Sequence, residues 1–176
     1  SAKEKLELIK SQVNRITRII RNLVDFSRPT THASQPSDIN KILKDALNIV
    51  QYGKKVKDIR FDVALVPELP PITIVPDQLQ QVFINILINA VDSLDGKPGE
   101  IGIKSELKGE KVIVRISDSG KGIAEDDIDN IFEPFFTTKE IGKGTGLGLW
   151  VSYGIVRSFQ GDIKVESKEG KGATFT

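Results

Sequence analysis

A β-branched run, Val112-Ile113-Val114-Arg115-Ile116, leads to Asp118, and Gly120 and Gly122 follow at once. Its period-2 apolar pattern predicts a strand. A carboxylate at a strand end, backed by glycines, lets the backbone and a flat ligand approach closely. Farther on, Gly142, Gly144, Gly146 and Gly148 precede a helical pattern that starts near Leu147. Glycines that open a helix place backbone N–H groups and the positive end of the helix dipole beside a phosphate. The stretch from Asp118 to Leu149 therefore fits a base at one end and phosphates at the other. Plainer readings exist for each half. Asp-Ser-Gly after a strand is a common turn, and glycine-rich loops also serve as hinges. No G-x-x-x-x-G-K-[ST] is present, so the loop is not a P-loop. Its G-x-G-x-G spacing, with no V-A-I-K following, also sets it apart from the glycine loop of protein kinases.

Composition narrows the function classes. The 176 residues suffice for one core plus an extra element. Lys plus Arg number 25 and Asp plus Glu 24, a net charge of +1, which gives no electrostatic case for nucleic acid or an anionic membrane. With no Cys, there is no disulfide framework, thiolate metal site or thiol nucleophile. The single His cannot build a His-rich metal site. No apolar run reaches membrane-spanning length and no signal peptide is visible. There is no Met even at position 1, and the last residues stop inside a strand-like run, so a piece of a longer protein is expected.

Along residues 2–28, Leu6, Ile9, Val13, Ile16, Ile20 and Leu23 recur in alternating steps of three and four, a heptad seam. A lone helix of this length is marginal in water, so its seam should meet another helix. Pro29 ends the pattern, and THASQPS (31–37) reads as a linker. Asp38 should cap a helix with Ile39, Ile42, Leu43, Ala46, Leu47 and Val50 on its apolar face. Strands are expected from Ile59 to Val66 and from Ile72 to Ile74. Pro76-Asp77 opens the best-patterned helix, with Leu79, Val82, Phe83, Ile86, Leu87, Ala90, Val91 and Leu94 at helical spacing. Asn85 and Asn89 lie one turn apart on the opposite stripe. Two amides there are either a wet face or a pair of oxygens for a hard cation such as Mg²⁺. Ile101 to Leu107 and Lys111 to Ile116 should form a hairpin. Leu147 to Phe159 should be helical and capped by Gly161. Asp162 to Ser167 and Ala173 to Thr176 should form a last hairpin. These elements make an α+β protein, a two-layer sandwich in which a mixed sheet is covered on one face by helices, preceded by a coiled-coil-type helix.

Taken in order, these stretches resemble the catalytic, ATP-binding half of sensor histidine kinases, within the wider family of gyrase, Hsp90 and MutL ATPases. QVFINILINAVDSL is similar to the asparagine box, DSGKGI to the first glycine box and FEPFFTTK to the phenylalanine box. GKGTGLGL is similar to the second glycine box and GKGATF to the terminal glycine-threonine motif. The resemblance runs from about residue 5 to the end, and NLVDFSR resembles the end of the second helix of a dimerisation hairpin. It implies a Bergerat-type ATP-binding fold. It also implies that residues 1–28 are that second hairpin helix, residues 29–37 a linker and residues 38–176 the catalytic domain.

The resemblance also implies roles. Asn89 would coordinate Mg²⁺ on the triphosphate, with Asn85 a second candidate for the metal and for catalysis. Asp118 would accept a hydrogen bond from the adenine amino group, where guanine would present a repelling oxygen. Gly120, Gly122 and Ile123 would bring backbone to the base, with Thr174 beside it. Residues 124–145 would form a mobile lid anchored by Phe132, Phe135 and Phe136. Phe136, Thr137, Thr138, Lys139, Lys143 and Thr145 would contact the nucleotide, and Gly144, Gly146, Leu147 and Gly148 would hold phosphate at the helix start. The hydrolases of the wider family carry a Glu general base where this chain has Asn85, which cannot take a proton. Transfer of the γ-phosphoryl to an external nucleophile is therefore expected over hydrolysis, with positioning and Mg²⁺ supplying catalysis. The phosphoacceptor of these kinases is a His followed by an acidic residue, with Pro five positions on. His32 is followed by Ala33 and by Pro36 four positions on, so it fails the pattern. The implied partners are ATP, a response-regulator receiver domain and a second copy of the chain through the N-terminal helix. A cytoplasmic location is implied, with no contact of this stretch to membrane or nucleic acid. The other readings are a gyrase-like hydrolase and a non-catalytic docking module.

Overall fold

A computed structural model describes residues 2, 5–7, 9, 10, 12, 13, 16, 17, 20, 33–53, 56–140 and 144–176. Leu23, Pro29, His32 and Lys143, singled out above, lie outside the described residues.

The described residues between 2 and 20 are helical, and Thr17 Oγ1 donates to the Val13 carbonyl at 2.9 Å. Leu6, Ile9, Val13, Ile16 and Ile20 are each more than half exposed. Residues 35–37, expected within the linker, instead form a strand, Gln35–Ser37 (β1), paired antiparallel with Ile72–Ile74 (β3). Three residues are too few to show a period, and Pro36 is tolerated because the strand lies at an edge.

Asp38 caps Ile39–Gln51 (α1) as expected, its carboxylate accepting from Asn40 N–H at 2.9 Å and Lys41 N–H at 3.2 Å. The strand Ile59–Leu65 (β2) follows, then β3, then the long helix Pro76–Ser93 (α2). Gly99–Lys108 (β4) and Lys111–Asp118 (β5) form the expected hairpin. Glu125–Ile128 (α3) is a single turn, and Gly148–Ser158 (α4) follows the glycine run. Val165–Ser167 (β6) and Ala173–Phe175 (β7) close the chain. Helix α4 ends in a Schellman turn, with Gln160 N–H donating to Arg157 and Gly161 N–H to Val156. The left-handed residue there is Gln160 (φ 62°) and not Gly161. Gly161 is needed for space, because a Cβ would crowd the Val156 side chain.

The main sheet has the order β2-β4-β5-β7-β6, with β2 parallel to β4 and the other pairs antiparallel. Alternation along β4 and β5 turns Ile101, Ile103 and Ile116 inward and Lys104, Glu106 and Arg115 to water. The inward face packs on α1, α2 and α4, and Leu43, Leu87, Ile101 and Ile103 are among the most buried side chains. A closed polar knot locks α1 to the sheet edge. Asn40 Nδ2 donates to the Val66 carbonyl (2.7 Å), Ser105 Oγ to Asn40 Oδ1 (2.8 Å) and Val66 N–H to Ser105 Oγ (3.1 Å). The expected mixed sheet with helices on one face is thus the fold. Among the described residues no helix is long and apolar enough to cross a membrane.

Candidate nucleotide site

Helix α2 buries Leu79, Val82, Phe83, Ile86, Leu87, Ala90 and Val91 in the core. The 3.6-residue period then leaves Asn85, Asn89, Asp92 and Ser93 on one half-exposed stripe. Asn85 meets α4, Asn89 and Asp92 together meet the lid segment, and Ser93 meets β5, so the stripe is the wall against which the site is assembled.

Asn85 braces α4. Its Nδ2 lies 3.2 Å from the Gly148 carbonyl and 3.3 Å from Ser152 Oγ, while its Oδ1 accepts from Gln81 Nε2 at 2.8 Å. An amide oxygen has two lone pairs, so Gln81 takes one acceptor position of Asn85 Oδ1 and leaves the other. Asn89, one turn on, is placed differently. Lys139, from the lid segment, sets its ammonium 3.1 Å from Asn89 Oδ1 and 2.8 Å from Asp92 Oδ2. Two oxygens gathered on a cation are the donor chemistry that a hard divalent ion uses. Among the described residues no group of three His, Cys, Asp or Glu could hold a metal by itself. Mg²⁺ takes one or two protein oxygens and completes its shell with phosphates and water.

Asp118 ends the central strand β5, half-buried. Ser93 Oγ lies 2.7 Å from its Oδ1, Gly120 N–H donates to the same oxygen at 2.9 Å, and the Ala173 N–H also bonds the carboxylate. Burial raises the Asp118 carboxyl above its ordinary 3.8, and these three bonds pull it partly back. The loop after Asp118 is interlocked with the β6–β7 turn. Gly170 N–H donates to Lys121 O (2.7 Å) and Ile123 N–H to Ser167 Oγ (2.9 Å). Gly122 has φ +69°, and the Lys168 carbonyl fills the place of a Cβ.

Thr174 is a correction. Register pairs it with Ser117, and Phe175 with Ile116, so Thr174 shares a face with Ser117. Asp118 points the other way, since successive strand residues alternate. The contact from β7 to Asp118 comes from Ala173, through backbone.

Within the lid segment, Ile131 is buried, and Phe132 packs on Tyr153 of α4 with centroids 5.3 Å apart. Phe136 packs against the core. Phe135, expected as a third anchor, is 57% exposed and adopts φ +68°. It holds the lid by backbone instead, its N–H donating to the Gly146 carbonyl at 2.9 Å. Thr137 Oγ1 accepts from Lys139 N–H at 3.2 Å and Thr145 Oγ1 from Leu147 N–H at 3.4 Å, so both shape turns. Thr138 is exposed, and Gly144 packs close to Thr137 and Lys139. Leu147 is buried, and among the described residues no side chain caps α4, whose first residue is Gly148. A helix start without a side-chain cap presents N–H groups and positive dipole to an anion. The geometry thus brings Asn89, Asp118, Lys139 and the start of α4 to one wall. Asp92, Ser93 and Ala173 were missed. Asp92 and Ser93 could have been found at three and four residues beyond Asn89 on the same stripe.

The chain is similar in sequence and fold to known proteins. Residues 74–176 match the family described as histidine kinase-, DNA gyrase B-, and HSP90-like ATPase. Sensor histidine kinase ZraS of Escherichia coli (strain K12) is 38% identical over 170 residues, which are 97% of this chain and 36% of that protein. Sporulation kinase E of Bacillus subtilis (strain 168) is 38% identical over 169 residues, 96% of this chain and 22% of that protein. The chain therefore spans well under half the length of these curated relatives. The solved catalytic domain of histidine kinase ThkA, in a nucleotide-free form, superposes with a TM-score of 0.72 at 30% identity, covering 82% of this chain and 93% of that one. A chain with this sheet, this asparagine-bearing helix and these relatives belongs to the histidine kinase-, DNA gyrase B- and HSP90-like ATPase family, as the ATP-binding catalytic domain of the sensor histidine kinases.

Proposed function

We propose that this chain binds Mg²⁺·ATP and transfers its γ-phosphoryl to a histidine on a dimerisation helix, for relay to a response-regulator aspartate. The observation that carries this reading is the α2 stripe. Asn89 and Asp92 hold a cation there, and Ser93, one turn beyond Asn89, holds the Asp118 carboxylate. Asp118 accepts the adenine amino group, while Gly120, Gly122 and Ile123 shape the floor beneath the base. Asn89 is the protein ligand for Mg²⁺, which neutralises phosphate charge when bound. With Mg²⁺ held by Asn89, the Lys139 ammonium would be free to turn to the phosphates, which the N-terminus of α4 would also receive. Phe136, Thr137, Thr138, Lys143, Gly144, Thr145, Gly146, Leu147 and Gly148 complete the lid and phosphate side.

No carboxylate occupies position 85 to take a proton from water, so transfer to an external acceptor is favoured over hydrolysis. Residues 38–176 act as the catalytic domain and residues 1–28 as the second helix of the dimerisation hairpin, joined by residues 29–37. The exposed seam Leu6, Ile9, Val13, Ile16 and Ile20 supports pairing with a second copy or with the first hairpin helix. His32 lacks the acidic neighbour of an acceptor, which supports an acceptor on another segment. ThkA has been solved in complex with response regulator protein TrrA, which supports a receiver domain as the final partner. The work would be cytoplasmic, where ATP is available.

The test is to incubate the chain with γ-labelled ATP and Mg²⁺, with and without an added dimerisation hairpin that carries its histidine. Acid-labile label on the hairpin, with little phosphate release from the chain alone, is the expected result. Steady phosphate release without transfer would overturn it in favour of a hydrolase.

A further inference from the structure

We propose that Ser93 positions Asp118 for base recognition, its hydroxyl holding one carboxylate oxygen so that the remaining acceptor position meets the exocyclic amine of adenine. This rests on the reading of Asp118 given above.

Ser93 is the last residue of α2, and its Oγ lies 2.7 Å from Asp118 Oδ1. It also lies 2.7 Å from the Ala90 carbonyl. Back-bonding to the carbonyl three residues earlier is an ordinary habit of helical serine. Here the single hydroxyl proton has a second acceptor at the same distance, and the ionised carboxylate is the stronger of the two. A carboxylate offers about four lone-pair positions. Three donors reach Asp118, from the Ser93 hydroxyl, the Gly120 N–H and the Ala173 N–H. About one position remains for a ligand.

Of the three donors, only Ser93 is a side chain. Its place is fixed from both sides. Lys121 N–H donates to the Ser93 carbonyl at 3.1 Å. Gly120 has no room for a Cβ because Ser93 occupies that space. The end of α2 and the loop after β5 are therefore locked together at this residue, and the hydroxyl is aimed by the lock. Losing it would leave a half-buried carboxylate with two backbone donors and freedom to turn. The loss should fall on ligands that offer an amine to Asp118 and spare those that do not.

The experiment measures binding of ATP and inosine triphosphate to the full chain and to Ser93→Ala, Asp118→Ala and the double variant. Inosine triphosphate has the same phosphates but an oxygen in place of the amine. Ser93→Ala should weaken ATP about tenfold and leave inosine triphosphate within about twofold. In the Asp118→Ala background, Ser93→Ala should add nothing further. If Asp118→Ala lowers the ATP preference while Ser93→Ala preserves it, the role of Ser93 is overturned and the adenine reading stands. If Asp118→Ala does not lower the preference, both fall. An equal loss for the two nucleotides in Ser93→Ala would make the serine a structural contact and overturn its positioning role.

Discussion

Asp118 faces two opposed demands. Binding an amine requires an ionised carboxylate, and burial at the end of β5 disfavours that form. Its folded value is raised above the unfolded one, so the fold favours the protonated group. The stability this contributes is complete below the unfolded value and is lost as pH rises through the folded value. Asp118→Asn removes the titration. The melting-temperature difference, variant minus parent, should therefore move in favour of the variant as pH rises above the ordinary carboxylate range. The variant should meanwhile bind ATP more weakly. A difference that stays flat as pH rises would contradict the assigned burial cost. At this scale the sequence was legible where a residue type has few uses, as with an Asp between a strand and two glycines. It was not legible where strand register decides. Thr174 and Ala173 are neighbours, and only pairing with Ser117 and Ile116 tells which one lies on the Asp118 side. Ser93 was overlooked because a serine near a helix end is ordinary, and its partner lies 25 residues away.

Helix α2 was readable almost to the residue, because 18 residues of unbroken period with Pro at the start leave little choice. β1 was not, since its pairing with β3 depends on residues far along the chain. The lid divides the same way. Phe132 and Phe136 pack as their apolar character demands, while Phe135 stands exposed because backbone conformation sets its direction. That backbone is matched by Gly146, at φ +69°, where the Phe135 main chain leaves no space for a Cβ. Gly146→Ala should cost about 1–2 kcal/mol for the left-handed residue alone. This corresponds to a melting point lower by about 2–8 °C for a chain of this size. Because the strain sits between the lid and the start of α4, affinity for a non-hydrolysable ATP analogue should fall severalfold. Calorimetry and thermal melting of the variant check both, and unchanged affinity would show that the lid anchor does not shape the site.

Across the whole molecule, α2 is the shared wall between core and site. One face fills the core with side chains such as Leu87 and Ala90, and the other presents oxygens to a cation and a donor to Asp118. The fold class was legible because hairpins and amphipathic helices alternate in a pattern with few packed solutions. The seam of the N-terminal helix was legible from its alternating steps of three and four, and Leu6, Ile9, Val13, Ile16 and Ile20 stand exposed. On the proposed reading this wall, closed by β5, β7, the lid and α4, forms one Mg²⁺-dependent adenine-nucleotide site. That site is tested most directly by calorimetric titration of the chain with a non-hydrolysable ATP analogue and with its guanine counterpart. Each titration is run with and without Mg²⁺, for the parent chain, Asp118→Ala and Asn89→Ala. Binding that Mg²⁺ strengthens and that rejects guanine is the expected result. Asp118→Ala should lose about tenfold or more in affinity, and Asn89→Ala should lose the Mg²⁺ effect. Equal affinity for the two bases, or Mg²⁺-dependent binding that survives both substitutions, would contradict the proposed site.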